Sequence, residues 1–221
     1  MRLLLVRHGQ TPANVEGRLN TAAPGPGLTR LGEEQAAMIP VALRDTPVDG
    51  IYASLLVRTQ LTAQPLADDR GLDLQVLDGV HEIEAGDLED LRDRASVRAY
   101  LRTSFAWGSG DLSVVMPGGT DGHAFFHRFD ADIARVAAEA ENAVVVSHGS
   151  AIRVWVAGRA TNVPRSFAGE HELDNTGVVE LDGSPELGWT LLAWQGIPIG
   201  GAQLADPTAE DPTGETLEQA E

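Results

Sequence analysis

LLLVRHGQT, residues 3–11, is a short run of branched apolar residues that ends in Arg-His-Gly. A fully apolar run of this length is typical of a buried β-strand. A second such run, VVVSHGSAI at residues 144–152, also ends in His-Gly. Because ligands of open α/β sheets bind beyond the carboxyl ends of the strands, His8 and His148 could face one crevice. The alternative is coincidence, since the chain has 6 histidines and 24 glycines.

The rest of the chain alternates between strand and helix patterns. Strands are predicted at residues 50–53, 72–77, 178–181 and 189–193, helices from Thr29 onward and at 54–67, 91–101, 121–140 and 151–157, and a loop at 105–119. This alternation predicts an α/β fold, a three-layer α/β/α sandwich with a mostly parallel central sheet and helices on both faces. We expect one domain over residues 1–204. Residues 205–221, which are acidic and almost without apolar side chains, are expected to form a disordered tail.

Composition excludes several classes of chemistry and of partner. The chain has no cysteine, so it has no disulfide, no thiolate nucleophile and no cysteine-based metal site. All 16 basic residues are arginines, so a bound phosphate would be held by arginine, histidine or amide groups. The net charge of −17 predicts no nucleic-acid and no membrane partner. The apolar run at residues 3–6 is too short for a signal peptide, so a cytoplasmic protein is expected.

The triplet Arg7-His8-Gly9 could carry nucleophilic chemistry. A neutral imidazole is a good nucleophile at pH 7. Arg7 could hold phosphate oxygens bidentately, and Gly9 would let the backbone turn sharply beside a ligand. On the triplet alone, a strand-end histidine beside a solvated arginine is an equally good interpretation.

Five segments, in order, resemble the signature motifs of the histidine phosphatase superfamily, also called the phosphoglycerate mutase-like family. They are RHGQTPANVEGRLNT at 7–21, ASLLVRTQLTAQPLA at 53–67, HEIEAGDLED at 81–90, MPGGTD at 116–121 and VVVSHGSAIR at 144–153. The match departs from the family pattern at Gln10, where Glu is usual, at Glu89-Asp90, where Glu-Gly is usual, and at Thr120-Asp121, where Glu-Ser is usual. The last two departures lie where substrate selection is expected.

The resemblance implies a phosphoglycerate mutase-like fold and a set of roles for residues at matching positions. His8 would attack phosphorus, and Glu82 would be the general acid and then the base. The phosphate would be bound by Arg7, Asn14, Arg58 and His148. The substrate would be contacted by Arg18, Asn20 and Thr21. No metal and no other cofactor is implied, because two arginines and a histidine can supply the positive charge that phosphoryl transfer needs.

Two activities occur in the family: hydrolysis of a phosphomonoester and mutase transfer between hydroxyls. A mutase must protect its phosphorylated intermediate from water. The segment at residues 91–116 is short and lacks lysine, so a phosphatase acting on a small phosphorylated metabolite is favoured. A mutase, or a non-catalytic phospho-ligand binder, is the alternative. The sequence predicts neither the substrate nor the oligomeric state.

Other possible sites are weaker. His123 and His127 have the spacing of metal ligands on a helix, but a surface or pocket-rim position is favoured for both. Ser150 lacks the Gly-x-Ser-x-Gly pattern of a serine hydrolase. Trp107 and a series of arginines could cover the pocket, although a solvated helix face is the simpler interpretation of the arginines. These are Arg92, Arg94, Arg98 and Arg102.

Overall fold

The structure is a computed structural model that describes residues 1–219. Its strands are β1 (Arg2–Arg7), β2 (Gly50–Ser54), β3 (Leu74–Leu77), β4 (Asn142–Ser147), β5 (Val178–Ser184) and β6 (Gly188–Gln195). Its α-helices are α1 (Pro12–Val15), α2 (Arg30–Ala42), α3 (Val57–Arg70), α4 (Arg94–Gly108), α5 (Gly122–Glu139), α6 (Gly149–Arg159) and α7 (Phe167–Glu170). Short 3₁₀ helices span Gly86–Leu88 and Ala202–Leu204. Within residues 1–219, no helix is both long enough and apolar enough to cross a membrane.

The six strands form one sheet in the order β3-β2-β4-β1-β5-β6. The first four run parallel, while β5 and β6 are antiparallel to their neighbours. The predicted mostly parallel α/β sheet is therefore confirmed. β1 and β4 are adjacent, and Arg7 lies opposite Ser147 in their register. The residues that follow the two strands consequently emerge side by side.

Alternating side chains of the strands build a core on each face of the sheet. Leu3 and Leu5 join the larger cluster, which also takes in side chains of α4, α5 and α6. Leu4 and Val6 join a second cluster with side chains of α2 and α3. Strands covered on both faces are apolar throughout, which explains the unbroken run of residues 3–6. The result is the predicted three-layer sandwich.

Helix α4 differs from the prediction of a helix at 91–101 and a loop at 105–119. It starts after Asp93, whose side chain accepts a hydrogen bond from the backbone N–H of Ser96, and it continues to Gly108. Trp107 lies on its buried side, only 1% exposed, and its indole N–H donates to the carbonyl of Val114. The interpretation of Trp107 as a pocket cover is wrong, because this side chain belongs to the core.

The acidic C-terminal residues also differ from expectation. Residues 205–219, here called the C-terminal strap, lie against the domain, whereas a disordered tail was expected for 205–221; residues 220 and 221 lie outside the described part. The backbone of Leu173 donates to Gly214, and that of Leu217 donates to Gly169, at 3.1 and 3.0 Å. Thr213 is only 8% exposed. Hydrogen bonds and charge hold most of this segment, with apolar contacts limited to the buried Pro212 and the partly buried Leu217.

Candidate active site

His8 and His148 meet at the carboxyl edge of the parallel strands. His8 directly follows β1 and His148 directly follows β4. Their ring centroids are 5.2 Å apart, with 62° between the ring planes. Both rings are buried, at 2% and 0% exposure. The pairing that the two His-Gly segments suggested is therefore present in the structure.

The tautomer of His8 is set by its own loop. Its Nδ1 lies 2.8 Å from the carbonyl oxygen of Gly9, which can only accept, so Nδ1 carries the proton and Nε2 keeps its lone pair. A side chain at Gly9 would place Cβ 2.7 Å from the carbonyl oxygen of Gly32, so the loop needs glycine there. Burial, and then the charges of Arg58 and Arg7, lower the pKa of His8 well below its ordinary value. His8 is thus a neutral imidazole.

His148 is held by a residue that the site prediction did not include. Its Nε2 lies 2.7 Å from Oγ of Ser54, at the end of β2, while its buried Nδ1 has no hydrogen-bond partner among the described residues. Burial, followed by the charge of Arg58, lowers the pKa of His148 well below its ordinary value. A phosphate dianion beside the ring would act in the opposite direction. Ser54 lies within the ASLLVRTQLTAQPLA motif, and that motif is the sequence signal that could have identified it.

Arg58, on the first turn of α3, points back toward the loop at residues 20–25. Its Nη2 donates to the carbonyl of Asn20 at 3.0 Å, whereas Nη1 reaches the Asn20 side chain only at 3.4 Å. Its buried Nε has no partner within residues 1–219. Burial lowers the pKa of Arg58 to about 10, which still leaves the guanidinium charged at neutral pH.

Glu82 is buried at the N-terminus of α6. One carboxylate oxygen accepts the backbone N–H groups of Ile83 and Ala151, at 2.9 and 2.8 Å, and the other accepts that of Ser150 at 3.2 Å. Burial raises the pKa of Glu82, against the opposing effect of these donors and of the Arg58 charge. A carboxyl group with a raised pKa can hold the proton that a general acid must deliver.

Arg7 and Asn14, both predicted to bind phosphate, are engaged by the C-terminal strap. The two terminal nitrogens of Arg7 each lie 2.6 Å from an oxygen of the Asp211 carboxylate. Nδ2 of Asn14 donates to the same carboxylate at 2.9 Å. Burial is the largest single effect and lowers the pKa of Arg7, but the charge and hydrogen bond of Asp211, together with the charges of Glu82 and Asp174, outweigh it, so the pKa is raised. Asp211 lies in the segment expected to be disordered and was not predicted as part of the site.

The residues predicted to contact substrate are spread around the site. Thr21 is buried, and its hydroxyl donates to Glu89 and accepts the backbone N–H of Ala85. Asn20 accepts hydrogen bonds from Arg58 through its backbone carbonyl and its side-chain oxygen. Arg18 instead pairs with Glu16 at 2.6 Å, with more than a third of its side chain exposed. The structure therefore brings Asn20 and Thr21 to the site and leaves Arg18 in a surface ion pair.

The possible metal ligands on α5 lie elsewhere. His123 and His127 are both exposed. Among residues 1–219, no group of three or more histidine or carboxylate side chains is arranged to hold a metal ion. The surface interpretation of these two histidines fits the structure.

Residues 3–196 match the family model of the histidine phosphatase superfamily, branch 1. The chain therefore belongs to this superfamily. It is 43% identical, over 92% of its length, to a PE-PGRS family protein of Mycobacterium tuberculosis, although the match spans only 38% of that longer protein. It is 33% identical to the adenosylcobalamin/alpha-ribazole phosphatase of Escherichia coli, over 71% of this chain and 78% of that one.

A solved structure shows the same architecture. The mycobacterial glucosyl-3-phosphoglycerate phosphatase superposes with a TM-score of 0.72 and is 25% identical, over 89% of this chain and 99% of that chain. Family membership and these phosphatase relatives support an enzyme of the histidine phosphatase kind.

Proposed function

We propose that the protein hydrolyses the phosphomonoester of a small metabolite through a phosphohistidine at His8, without a metal ion. One observation carries this proposal. The hydrogen bond to Gly9 fixes the proton of His8 on Nδ1, so the lone pair of Nε2 is available beside a second buried histidine. A nucleophile whose tautomer is fixed before substrate binds has no reorganisation to undergo in the reaction.

In the first step, Nε2 of His8 attacks phosphorus while the bond from phosphorus to the leaving oxygen breaks. Glu82, whose raised pKa favours the protonated form, gives its proton to that oxygen, and the alcohol departs. Arg58 and His148 offer their unpartnered nitrogens, Nε and Nδ1, to the equatorial oxygens. These groups would offset the negative charge of the transferring phosphoryl group.

In the second step, the Glu82 carboxylate takes a proton from water as the water oxygen attacks the phosphohistidine. The N–P bond breaks, inorganic phosphate leaves, and His8 and Glu82 return to their starting protonation states. The same carboxyl group thus acts as acid and then as base. Arg7 and Asn14 would add their donors to either step once they are released from Asp211.

A cavity beside the site favours hydrolysis over phosphoglycerate mutase chemistry. It has a volume of about 490 Å³ and is bordered by Thr21, by Leu56, two residues before Arg58, and by His81, which precedes Glu82 in the chain. Its acidic lining residues are Asp78, Glu84 and Glu89, and no arginine of the described chain lines it. Such a lining suits a neutral leaving group and repels the carboxylate of a phosphoglycerate. The mutase remains the alternative function.

The deciding experiment measures phosphate release from an aryl phosphate in excess chelator, with wild type, His8→Ala and the surface control His123→Ala. We expect activity in wild type and in the control, and none in His8→Ala. Equal activity in all three proteins would remove His8 from the mechanism. If all three are inactive while wild type interconverts 2- and 3-phosphoglycerate, the protein is a mutase instead.

A further inference from the structure

The C-terminal strap contacts both terminal nitrogens of Arg7, the guanidinium that the proposed function needs for phosphate. Nη1 of Arg7 donates to the carbonyl of Leu173 at 2.7 Å and contacts one oxygen of Asp211. Nη2 donates to the other oxygen of Asp211 and, at 2.9 Å, to Oγ1 of Thr213. A guanidinium has five N–H groups, so only the N–H on Nε is left. Arg7 cannot bind a phosphate bidentately through its terminal nitrogens while Asp211 is in place.

The same carboxylate also occupies Asn14. Oδ1 of Asn14 accepts hydrogen bonds from Thr11, which leaves its Nδ2 as the donor, and Nδ2 points at Asp211. Two of the four groups predicted to bind phosphate therefore hold one carboxylate. A carboxylate gripped bidentately by arginine has the charge and planar geometry that allow it to replace two oxygens of a phosphate.

Other contacts dock the strap over these groups. Arg153 is fully buried and donates to the carbonyl of Thr213 at 3.1 Å. A Cβ on Gly149, the first residue of α6, would lie 2.3 Å from that carbonyl oxygen, so the strap packs directly onto the helix that follows His148. Nε2 of Gln10 donates to Asp206 at 2.9 Å. The family pattern has Glu where this chain has Gln10, and a carboxylate there would repel Asp206.

With the strap docked, the side chains of the proposed site are buried from solvent. Arg7, His8, Arg58, Glu82 and His148 are each at most 3% exposed. The strap itself is held mainly by polar contacts: Pro212 is buried, but Leu217, the only large apolar side chain among its described residues, is only partly buried. A segment held in this way can exchange its contacts for those of a competing anion at small cost in apolar burial.

We propose that the C-terminal strap is an internal inhibitor in which Asp211 occupies phosphate-binding donors of Arg7 and Asn14, and that a phosphate dianion, from substrate or from solution, displaces it. The proposal rests on the proposed function, because it concerns the same site. Only the fraction of molecules with the strap released binds phosphate through Arg7, so the strap weakens the apparent affinity by that fraction. An anion that binds Arg7 shifts the strap toward release.

The first test measures the affinity of the full-length protein for inorganic phosphate by calorimetry, which needs no turnover. Asp211→Asn keeps the side-chain shape and removes the charge, and Glu218→Gln removes an exposed strap charge that no contact brings to the site. We expect Asp211→Asn to bind phosphate about tenfold more tightly than wild type, and Glu218→Gln to match wild type within about twofold. Unchanged or weaker binding by Asp211→Asn overturns the proposal, because Asp211 would then hold Arg7 in its working position.

The second test follows release of the strap itself. A glutamate-specific protease is applied to wild type and to Asp211→Asn, with and without saturating phosphate, and cleavage after Glu210 and Glu215 is timed. We expect phosphate to accelerate cleavage of wild type several-fold, and Asp211→Asn to be cut rapidly in both conditions. Cleavage of wild type that phosphate slows or leaves unchanged overturns the proposal. Neither readout depends on hydrolysis of a phosphomonoester by this protein, so a failure of the His8 mechanism would be recognised separately.

Discussion

Ser54, the last residue of β2, and His148, which directly follows the neighbouring strand β4, are joined by a hydrogen bond of 2.7 Å between Oγ and Nε2. The bond orients the imidazole so that its unpartnered Nδ1 is the nitrogen left for a ligand. Removing the imidazole in His148→Gln should lower kcat by about a hundredfold or more, because a hydrogen-bond donor to the transition state is lost. Ser54→Ala keeps the ring and loses one hydrogen bond, so we expect a loss of only about three- to tenfold. Steady-state kinetics on an aryl phosphate compares the two; equal losses would contradict a direct role for His148.

Glu82→Gln should affect substrates according to their leaving groups. Because the amide cannot give a proton to the leaving oxygen, we expect kcat to fall about 10²- to 10⁴-fold for alkyl phosphates. Aryl phosphates with acidic phenols need little protonation and should lose much less. The measurement is kcat against leaving-group pKa for wild type and Glu82→Gln. Parallel lines for the two proteins would show that Glu82 is not the general acid.

The pH profile of kcat/KM should have two limbs. His8 must be neutral to attack, and since burial and the two arginines lower its pKa well below 6.5, the acid-side loss should begin only below that pH. Glu82 must be protonated, and since burial raises its pKa above 4.5, activity should fall on the alkaline side as this raised pKa is passed. The profile is measured with an alkyl phosphate. An alkaline limb that persists unchanged in Glu82→Gln would contradict this assignment.

The free energy of unfolding should decrease at acid pH because the pKa of His148 is lowered in the folded protein. Burial lowers the pKa of His148 below 6.5 in the folded protein, so below pH 6.5 the unfolded chain binds a proton that the folded chain excludes. The contribution of His148 to stability is therefore complete above pH 6.5 and is lost as the pH falls toward the folded-state pKa. The free energy of unfolding, measured by urea titration between pH 5 and 8, should depend less on pH in His148→Gln than in wild type. An identical pH dependence would refute the linkage.

Tyr100 supports the backbone next to Glu82. Its hydroxyl is buried and donates to the carbonyl of Ile83 at 2.9 Å. Tyr100→Phe should lower the free energy of unfolding by about 1–3 kcal/mol, because that carbonyl is left buried without a partner. Tyr52 is the matched control, since its hydroxyl makes only a longer contact of 3.3 Å to the partly exposed Glu139, and Tyr52→Phe should cost less than about 1 kcal/mol. Equal costs in urea denaturation would contradict this difference.

Much of the site could be predicted because its parts are local in sequence. His8 and His148 each follow a short apolar strand, and five motifs in order identified the superfamily. The boundaries of α4 were less predictable. The helix starts where the Asp93 side chain caps it, and its last turn is stabilised by the burial of Trp107 in the core. Arg18 shows the same limit: its position matched the family pattern, but its side chain pairs locally with Glu16.

The α/β sandwich, the superfamily and the two histidines at one sheet edge can all be predicted from the amino-acid sequence. These follow from apolar periodicity and from residue order, which are properties of short segments. The contacts of Arg7, in contrast, depend on the folded arrangement of distant segments. Its contact with Asp211 joins residues 204 positions apart, and it is made by charge and hydrogen bonds in a segment whose composition predicts disorder. A single ion pair over such a separation leaves no periodic signal in the chain, so it becomes visible only when the fold brings the two side chains together.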